Sequence, residues 1–354
     1  MTGRAKISTA FAARPNALVT LGCSLMASGH GDKAVALVEQ LLAETAPDPG
    51  TDSVVRTVMS HKVPHWHLPM LRETARNDAF EAAITGAVTP QTRVLDIGAG
   101  SGLLAMMAAR TGAGAVIACE AHKALATTAR EIVAANGLSD RVAIIAKHST
   151  DLDVVGDLGG PVDLVVTETF ANDLIGEGAL KALRHALRSL ASPSVRIIPA
   201  RASIRIALAH FAGDAAQPIG KVSGFDLGLI NRHAAPALAV PVGDERLELC
   251  SEPADLFAFD FSGRDTPSEG QTEVPLIAGE RAPNGVVQWI RLQLDEQNSY
   301  ENAPARGSRS HWAAHFHPFD AATTAANGPP IRVNARHDGE RLRIWCEGGC
   351  PNGL

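Results

Sequence analysis

The sequence predicts an α/β chain: a doubly wound, Rossmann-like parallel sheet, followed by an antiparallel, barrel-like β domain and preceded by a helical hairpin. Three observations carry this. Short apolar runs at Arg93–Ile97, Ala115–Cys119, Val142–Ile145 and Val162–Val166 alternate with helical patterns at Leu103–Arg110 and Ala124–Asn136, the rhythm of parallel strands joined by covering helices. After Ile197-Ile198-Pro199 the pattern changes. Short alternating segments at Ala202–Ala207, Phe257–Phe261, Val287–Leu294 and Leu342–Trp345, separated by Gly, Pro and Asp, read as a sandwich or barrel. Ahead of both, Leu18, Leu21 and Leu25 and then Ala34, Leu37, Val38 and Leu41 keep helical spacing on either side of Gly29–Gly31.

In the hairpin, Gly22 and Ala34 allow two helices to approach closely. The spacing of Leu21-Gly22, Leu25, Gly29, Ala34, Val38 and Pro47 resembles a single tetratricopeptide repeat, a generic helical hairpin being the alternative. One repeat cannot bury its own face, so it is expected to lean on the rest of the chain or on a partner. Pro47–Asp52 reads as a linker. Thr51–Val88 is mainly helical, with a break at Pro64 and a helix near Leu71–Ile84. The expected division is 1–50, 51–200 and 201–354, with Gly224–Val240 a less regular excursion.

Composition bounds the function. The chain has 354 residues, 45% apolar and 20% charged, which excludes wholesale disorder and fits about two domains with an appendage. No apolar run reaches the roughly 18 residues of a membrane-spanning helix. A net charge of −6 disfavours a nucleic-acid partner. Five scattered cysteines, an odd number, point to a reducing compartment and a cytoplasmic location. Arg4, Lys6 and Arg14 before Ala17–Ala27 loosely imitate a signal peptide, but Thr20, Gly22, Cys23 and Ser24 interrupt that stretch. Cys346 and Cys350 are free thiols or half of a zinc site that has no second pair. His311, His315 and His317 fit strand alternation, so no metal is expected.

Val94-Leu95-Asp96-Ile97-Gly98-Ala99-Gly100-Ser101-Gly102 is the most informative stretch. A strand delivers Asp96, and three alternate glycines then turn the chain into a helix and leave room for a ligand on the backbone. Glu120 closes the next strand, where a carboxylate can bind both ribose hydroxyls. Dinucleotide folds place G-x-G-x-x-G here to receive a pyrophosphate. A carboxylate ahead of the glycines would repel that group and suits a cationic amino-acid moiety instead. The combination resembles motif I of the class I S-adenosylmethionine-dependent methyltransferases, which implies S-adenosyl-L-methionine as cofactor.

Two further segments bear on the reaction. Thr167-Glu168-Thr169-Phe170-Ala171-Asn172-Asp173-Leu174-Ile175-Gly176-Glu177-Gly178 follows a buried strand and puts two glutamates nine residues apart on one loop. His67-Leu68-Pro69-Met70-Leu71-Arg72-Glu73-Thr74-Ala75-Arg76-Asn77 lies upstream and Ser310-His311-Trp312 downstream. These resemble the double-Glu loop, the helix ahead of motif I and the His-Trp loop of the protein arginine N-methyltransferases. The match is closest to the divergent branch with Gly-Glu-Gly in the loop and a segment like Lys147-His148-Ser149-Thr150, some of whose members carry tetratricopeptide repeats. It covers Pro64–Ala207 strongly, and Phe257–Ser262 and Gly307–Trp312 thinly.

The resemblance implies roles. Glu168 and Glu177 bind the substrate guanidinium, Arg76 pairs with the cofactor carboxylate, and Asp96, Gly98 and Gly100 line the methionine side. Glu120 holds the ribose, and His148 and Ser149 contact adenine. Met70 packs near the reacting methyl, and Trp312 belongs to the substrate side. His311 pairs with Glu73, either as proton acceptor or as a tie between domains. Val222–Val240 resembles the arm through which family members form homodimers. The chain departs from the pattern in having one tyrosine, Tyr300, with His61 where Tyr is common, Ser310 for Thr, and Ala179 where larger residues occur in some branches.

The residue chemistry agrees independently. Arginine keeps its proton at neutral pH, with a pKa above ~12, and stripping it there costs about 7 kcal/mol. Holding the cation between two carboxylates while methyl transfer makes the proton acidic avoids that cost. Without a cation the acids repel, by about 3 kcal/mol at roughly 5 Å. The rival readings are methylation of free arginine or another small guanidino metabolite, and a cofactor-binding interaction scaffold without activity.

Overall fold

The computed structural model describes residues 15–44, 49–60, 66–213, 217–263, 267–319 and 326–346. Pro47, His61, Pro64 and Cys350 lie outside the described residues. Helices α1 (Pro15–Ala27) and α2 (Gly31–Glu44) form the expected hairpin. A third helix, α3 (Pro49–Ser60), replaces most of the expected linker. Proline and glycine signal a turn, but Pro49 stands in the first helical turn, where its missing N–H leaves no bond unmade. Asp52 lies in the same turn and pairs with Arg56 one turn on, at 2.7 Å. A Cβ on Gly22 would lie 3.3 Å from Val58, so Gly22 admits α3 to α1 rather than closing α1 on α2. Ala34, Val35, Val38, Val55 and Val58 bury each other, and Ala124 of the parallel domain packs against them.

The helix expected near Leu71–Ile84 divides into α4 (His67–Leu71) and α5 (Thr74–Ala87). Glu73 occupies the cap position of α5 without capping it, because its carboxylate is engaged elsewhere. Strands β1 (Arg93–Ile97), β2 (Ala115–Cys119), β3 (Val142–Ile145), β4 (Val162–Thr167) and β5 (Ala191–Ile198) form one sheet in the order β3-β2-β1-β4-β5, parallel throughout. Helices α6 (Leu103–Thr111), α7 (Lys123–Ala135) and α8 (Ala179–His185) connect them. The strands are apolar runs because both sheet faces are covered. The order reverses between β1 and β4, which opens a crevice at their carboxyl ends.

The second half curls around β6 (Arg201–Phe211). After it come β7 (Lys221–Val222), β8 (Phe225–Asp226), β9 (Leu238–Val240), β10 (Leu247–Leu249) and β11 (Ala254–Asp260). The remaining strands are β12 (Gly270–Leu276), β13 (Gly285–Gln293), β14 (Ser299–Glu301), β15 (Ala314–Pro318), β16 (Ile331–His337) and β17 (Leu342–Cys346). The main antiparallel sheet runs β10-β6-β13-β15-β9, with β11 on β6 and β14 on β13. Strands β12-β16-β17 form a smaller sheet. Phe170, Leu174 and Ile175 of the double-Glu loop share one core with Phe261, Ile290 and Trp312 of the β domain, so the loop is packed from both sides.

Candidate active site

The crevice holds a cavity of about 840 Å³. Met70, Arg76, Gly98, Gly100, Glu120, His148, Ser149, Glu168 and Glu177 all line it, so most of the residues singled out in the sequence converge. Three lie behind the wall instead: Asp96, His311 and Trp312.

The glycine turn leaves β1 with φ of +76° at Gly98 and +53° at Gly100, a region L side chains rarely adopt. Glu120 braces it: Oε2 accepts from Gly100 N at 3.0 Å and Oε1 from His122 N at 2.8 Å. Each oxygen keeps a lone pair for a hydroxyl. Asp96 lies beneath the turn, 1% exposed. Its Oδ2 accepts from Ala105 N at 3.1 Å, and its Oδ1 has no partner among the described residues. Burial pushes the Asp96 pKa up to about 7.

Glu168 follows β4 directly. Its Oε2 pairs with Arg76 at 2.5 Å, and its Oε1 lies 3.5 Å from His311 Nε2. The predicted cation for the cofactor carboxylate is thus turned toward the predicted substrate clamp. Its Nε has no partner among the described residues, and its Nη1 donates to Asn77 at 2.7 Å. Glu177 stands at the mouth. Partial desolvation and then the charge of Glu168 raise its pKa. Both effects favour a cation arriving between the two acids.

His311 does meet Glu73, through backbone N at 3.0 Å and Nδ1 at 2.7 Å. Burial alone would lower its pKa, but hydrogen bonds to Glu168 and Glu73 outweigh it and raise the value. Trp312 does not reach the cavity. It is 3% exposed and donates from Nε1 to Phe170 O at 2.7 Å. A large indole is most stable where its body is buried and its N–H paired, so Trp312 fastens the double-Glu loop. Gln288 Nε2 donates to Asn172 O at 2.8 Å, and Ala313 N to Asn172 Oδ1 at 3.1 Å, which completes the attachment. Leu174, inside that loop, is held at φ +72° with its side chain fully buried.

Several lining residues were not foreseen. His67 faces the glycine turn with Nε2 unpartnered among the described residues, and burial lowers its pKa. Its place one turn before Met70 on the same helix was the available signal. Lys181, Glu340 and Arg341 also line the cavity. The last two sit on the turn between β16 and β17, far along the chain from every motif, and nothing local marks them.

The donor set fits S-adenosyl-L-methionine. Glu120 can take two hydroxyls, and Arg76, which lines the cavity, keeps an N–H with no partner among the described residues, which a carboxylate could accept. The orphaned Asp96 oxygen and the nearby carboxylates favour a cationic end.

The sequence profile of the ribosomal protein L11 methyltransferase (PrmA) family matches residues 80–185. The arginine N(omega)-methyltransferase of Streptomyces achromogenes subsp. streptozoticus is 34% identical over 336 residues, 92% of this chain and 91% of that protein. Protein arginine N-methyltransferase 7 of Oryza sativa subsp. indica is 34% identical over 274 residues, covering 69% of this chain but 38% of its own length. Two solved structures share the fold. The Trypanosoma brucei PRMT1 enzyme–prozyme heterotetrameric complex with AdoHcy has a TM-score of 0.68 and 22% identity, covering 81% of this chain and 92% of that one. Arabidopsis thaliana protein arginine methyltransferase 10 has a TM-score of 0.67 and 19% identity, covering 82% and 97%.

Proposed function

The chain belongs to the protein arginine N-methyltransferase family, and on that premise we propose that it transfers methyl groups from S-adenosyl-L-methionine to the guanidino nitrogens of arginine residues in proteins. The observation that carries this reading is the convergence of Glu168 and Glu177, from one loop, on the cavity that Glu120 and the glycine turn line. S-adenosyl-L-methionine supplies an electrophilic sulfonium methyl group when bound. Glu120 holds the ribose, Arg76 the carboxylate, Asp96, Gly98 and Gly100 the methionine side, and His148 and Ser149 the adenine. Met70 limits the space around the methyl group.

Glu168 and Glu177 clamp the planar guanidinium and aim one nitrogen, so most of the rate enhancement comes from positioning and charge. Once the nitrogen is methylated its proton becomes acidic. Glu168 is placed to accept it, and His311 lies next in line at 3.5 Å. Trp312 acts on the substrate side only through the loop it fastens.

A second reading, methylation of free arginine, has its own support. The full-length likeness is to an arginine N(omega)-methyltransferase, whereas this chain spans less than half of the protein arginine N-methyltransferase 7 relatives. Lys181, Glu340 and Arg341 at the cavity wall make no side-chain hydrogen bond or ion pair among the described residues. Such charges suit the carboxylate and amine of a free amino acid.

Labelled cofactor with a Gly-Arg-rich peptide, free arginine or agmatine, followed by mass analysis, separates the readings. Methylated peptide supports the first. Turnover of arginine but not of agmatine, which lacks the carboxylate, supports the second. Glu177→Gln should keep cofactor affinity and lose most turnover, and undiminished turnover in that variant rules out the clamp.

We further propose a homodimer formed through residues 222–240 and a cytoplasmic location, the latter resting on the cysteine count alone. The helical hairpin is proposed as a tetratricopeptide-like surface for a protein partner.

A further inference from the structure

Tyr300 is the chain's one tyrosine, and it does not cover the cofactor cavity. Strand β14 carries it to the seam between the two halves, where it lies buried against the start of α5. Its hydroxyl donates to Glu73 Oε1 and lies 2.9 Å from Ser310 Oγ. A phenol has a single proton to give. With the carboxylate taking it, Ser310 donates back to the phenol oxygen. Ser310 Oγ also accepts from Trp312 N at 3.2 Å.

Glu73 therefore receives three donors. Tyr300 occupies one oxygen, while the backbone N–H and Nδ1 of His311 occupy the other, at 3.0 and 2.7 Å. With Nδ1 committed to Glu73, the opposite nitrogen Nε2 points at Glu168, 3.5 Å away. The chain of contacts Tyr300–Glu73–His311–Glu168 begins in the β domain, crosses to the cap of α5, returns to the loop after β14 and ends at the acid after β4.

We propose that Tyr300 is a positioning residue for methyl transfer: by donating to Glu73 it fixes the carboxylate that keeps His311 Nδ1 protonated and Nε2 aimed at Glu168. The inference rests on the reading that Glu168 meets the guanidinium. A ring nitrogen is assigned its role by the bond the other nitrogen makes, and a carboxylate is held hardest when each oxygen has its own donor. Removing the phenol hydroxyl leaves Glu73 one donor short and lets it rotate away from His311. The groups facing His311 are Glu73, Glu168 and Glu177, with Arg76 on the far side of Glu168 and His67 on α4. The hydrogen bond to Glu73 raises the His311 pKa, so a Glu73 that turns away lowers it.

The sign follows. If neutral His311 relays the proton from Glu168, turnover falls as pH drops through the His311 pKa. Tyr300→Phe keeps the ring and removes only the hydroxyl. It should lower kcat at pH 7 about tenfold by misaiming Nε2 and move the acid limb of the kcat profile down by about half a pH unit. The cofactor KM should change less than about twofold, and the defect should be smaller on the acid limb than on the plateau.

Ser310→Ala, which removes the donor to the phenol and the acceptor of Trp312 N, should show a smaller shift in the same direction. It also answers the question if Tyr300→Phe fails to fold. An unmoved acid limb with kcat near wild type overturns the proposal. So does a loss of kcat matched by a rise in cofactor KM at an unshifted limb, the mark of a merely structural residue. Wild-type enzyme inactive on every guanidino substrate would instead reject the underlying reading and so remain distinguishable.

Discussion

Asp96 is a carboxyl whose surroundings are wrong for its charge until a cation arrives. It is fully enclosed, one oxygen has no partner among the described residues, and its pKa stands at about 7 against an ordinary 3.8. A carboxyl with a raised folded pKa destabilises the native state as pH rises. Below about pH 4 it is protonated in both states and costs nothing. The cost grows up to pH 7 and levels off there near 4 kcal/mol, from about 1.4 kcal/mol per unit. Asp96→Asn should therefore unfold at the same temperature as wild type near pH 4 and at a clearly higher one above pH 7. The same variant should bind cofactor more weakly, because it has lost the charge that suits the cationic end. Unfolding midpoints recorded without cofactor across pH 4 to 9 test this, and two parallel curves would reject it.

At the scale of elements, the glycine turn between β1 and α6 makes room first for the protein and only then for a ligand. A Cβ on Gly98 would land inside the methyl group of Thr169, whose Oγ1 is tied to Thr167 at 3.0 Å. A Cβ on Gly100 would come within 2.8 Å of His67. Gly102, at φ +80°, meets only ordinary contacts. Gly98→Ala should thus combine backbone strain with a clash, lose about 2 kcal/mol or more and push the double-Glu loop outward. Gly102→Ala should lose about 1 kcal/mol from strain alone. Urea unfolding with a parallel cofactor titration checks both, and equal losses would show that Thr169 gives way freely. These elements were legible in the sequence because their signals are local: apolar strands, alternate glycines, an acid at the end of the next strand. Tyr300 and Glu73, Arg76 and Glu168, and the tip carrying Glu340 and Arg341 join distant parts of the chain, and periodicity holds no record of such pairs. Trp312 was misread for the same reason. Its motif places it near the site, but only the packed loop shows which way the indole faces. Pro49 misled because the same residue ends one element and opens another.

Across the described residues of the molecule, six of the nine exposed large apolar side chains belong to one segment. Ile219, Val222, Phe225, Leu227, Leu229 and Ile230 all face solvent, Phe225 at 71% and Leu229 at 77%. Elsewhere among the described residues the exposed large apolar side chains are Leu68, Val155 and Ile277, which stand apart from one another in sequence. We propose this segment as an interaction surface, because exposed apolar side chains gathered together favour docking. The segment is also internally fixed. Strands β7 and β8 pair, and Asn231 receives Ile219 N at 2.8 Å while donating to Ile219 O at 2.9 Å and Gly228 O at 2.8 Å. A preorganised arm loses less conformational entropy on docking than a loose loop would. A second copy of the chain is the partner that the family resemblance implies, and a symmetric pair would bury both arms at once. Sedimentation velocity over a wide concentration range should show a dimer for wild type. Phe225→Asp with Leu229→Asp should shift it to monomer, because each copy would then have to bury two unpaired charges. The double variant should keep its unfolding cooperativity, since neither side chain contributes to the monomer's core. A wild type that stays monomeric throughout, or a double variant that still dimerises, would place the interface elsewhere or remove it.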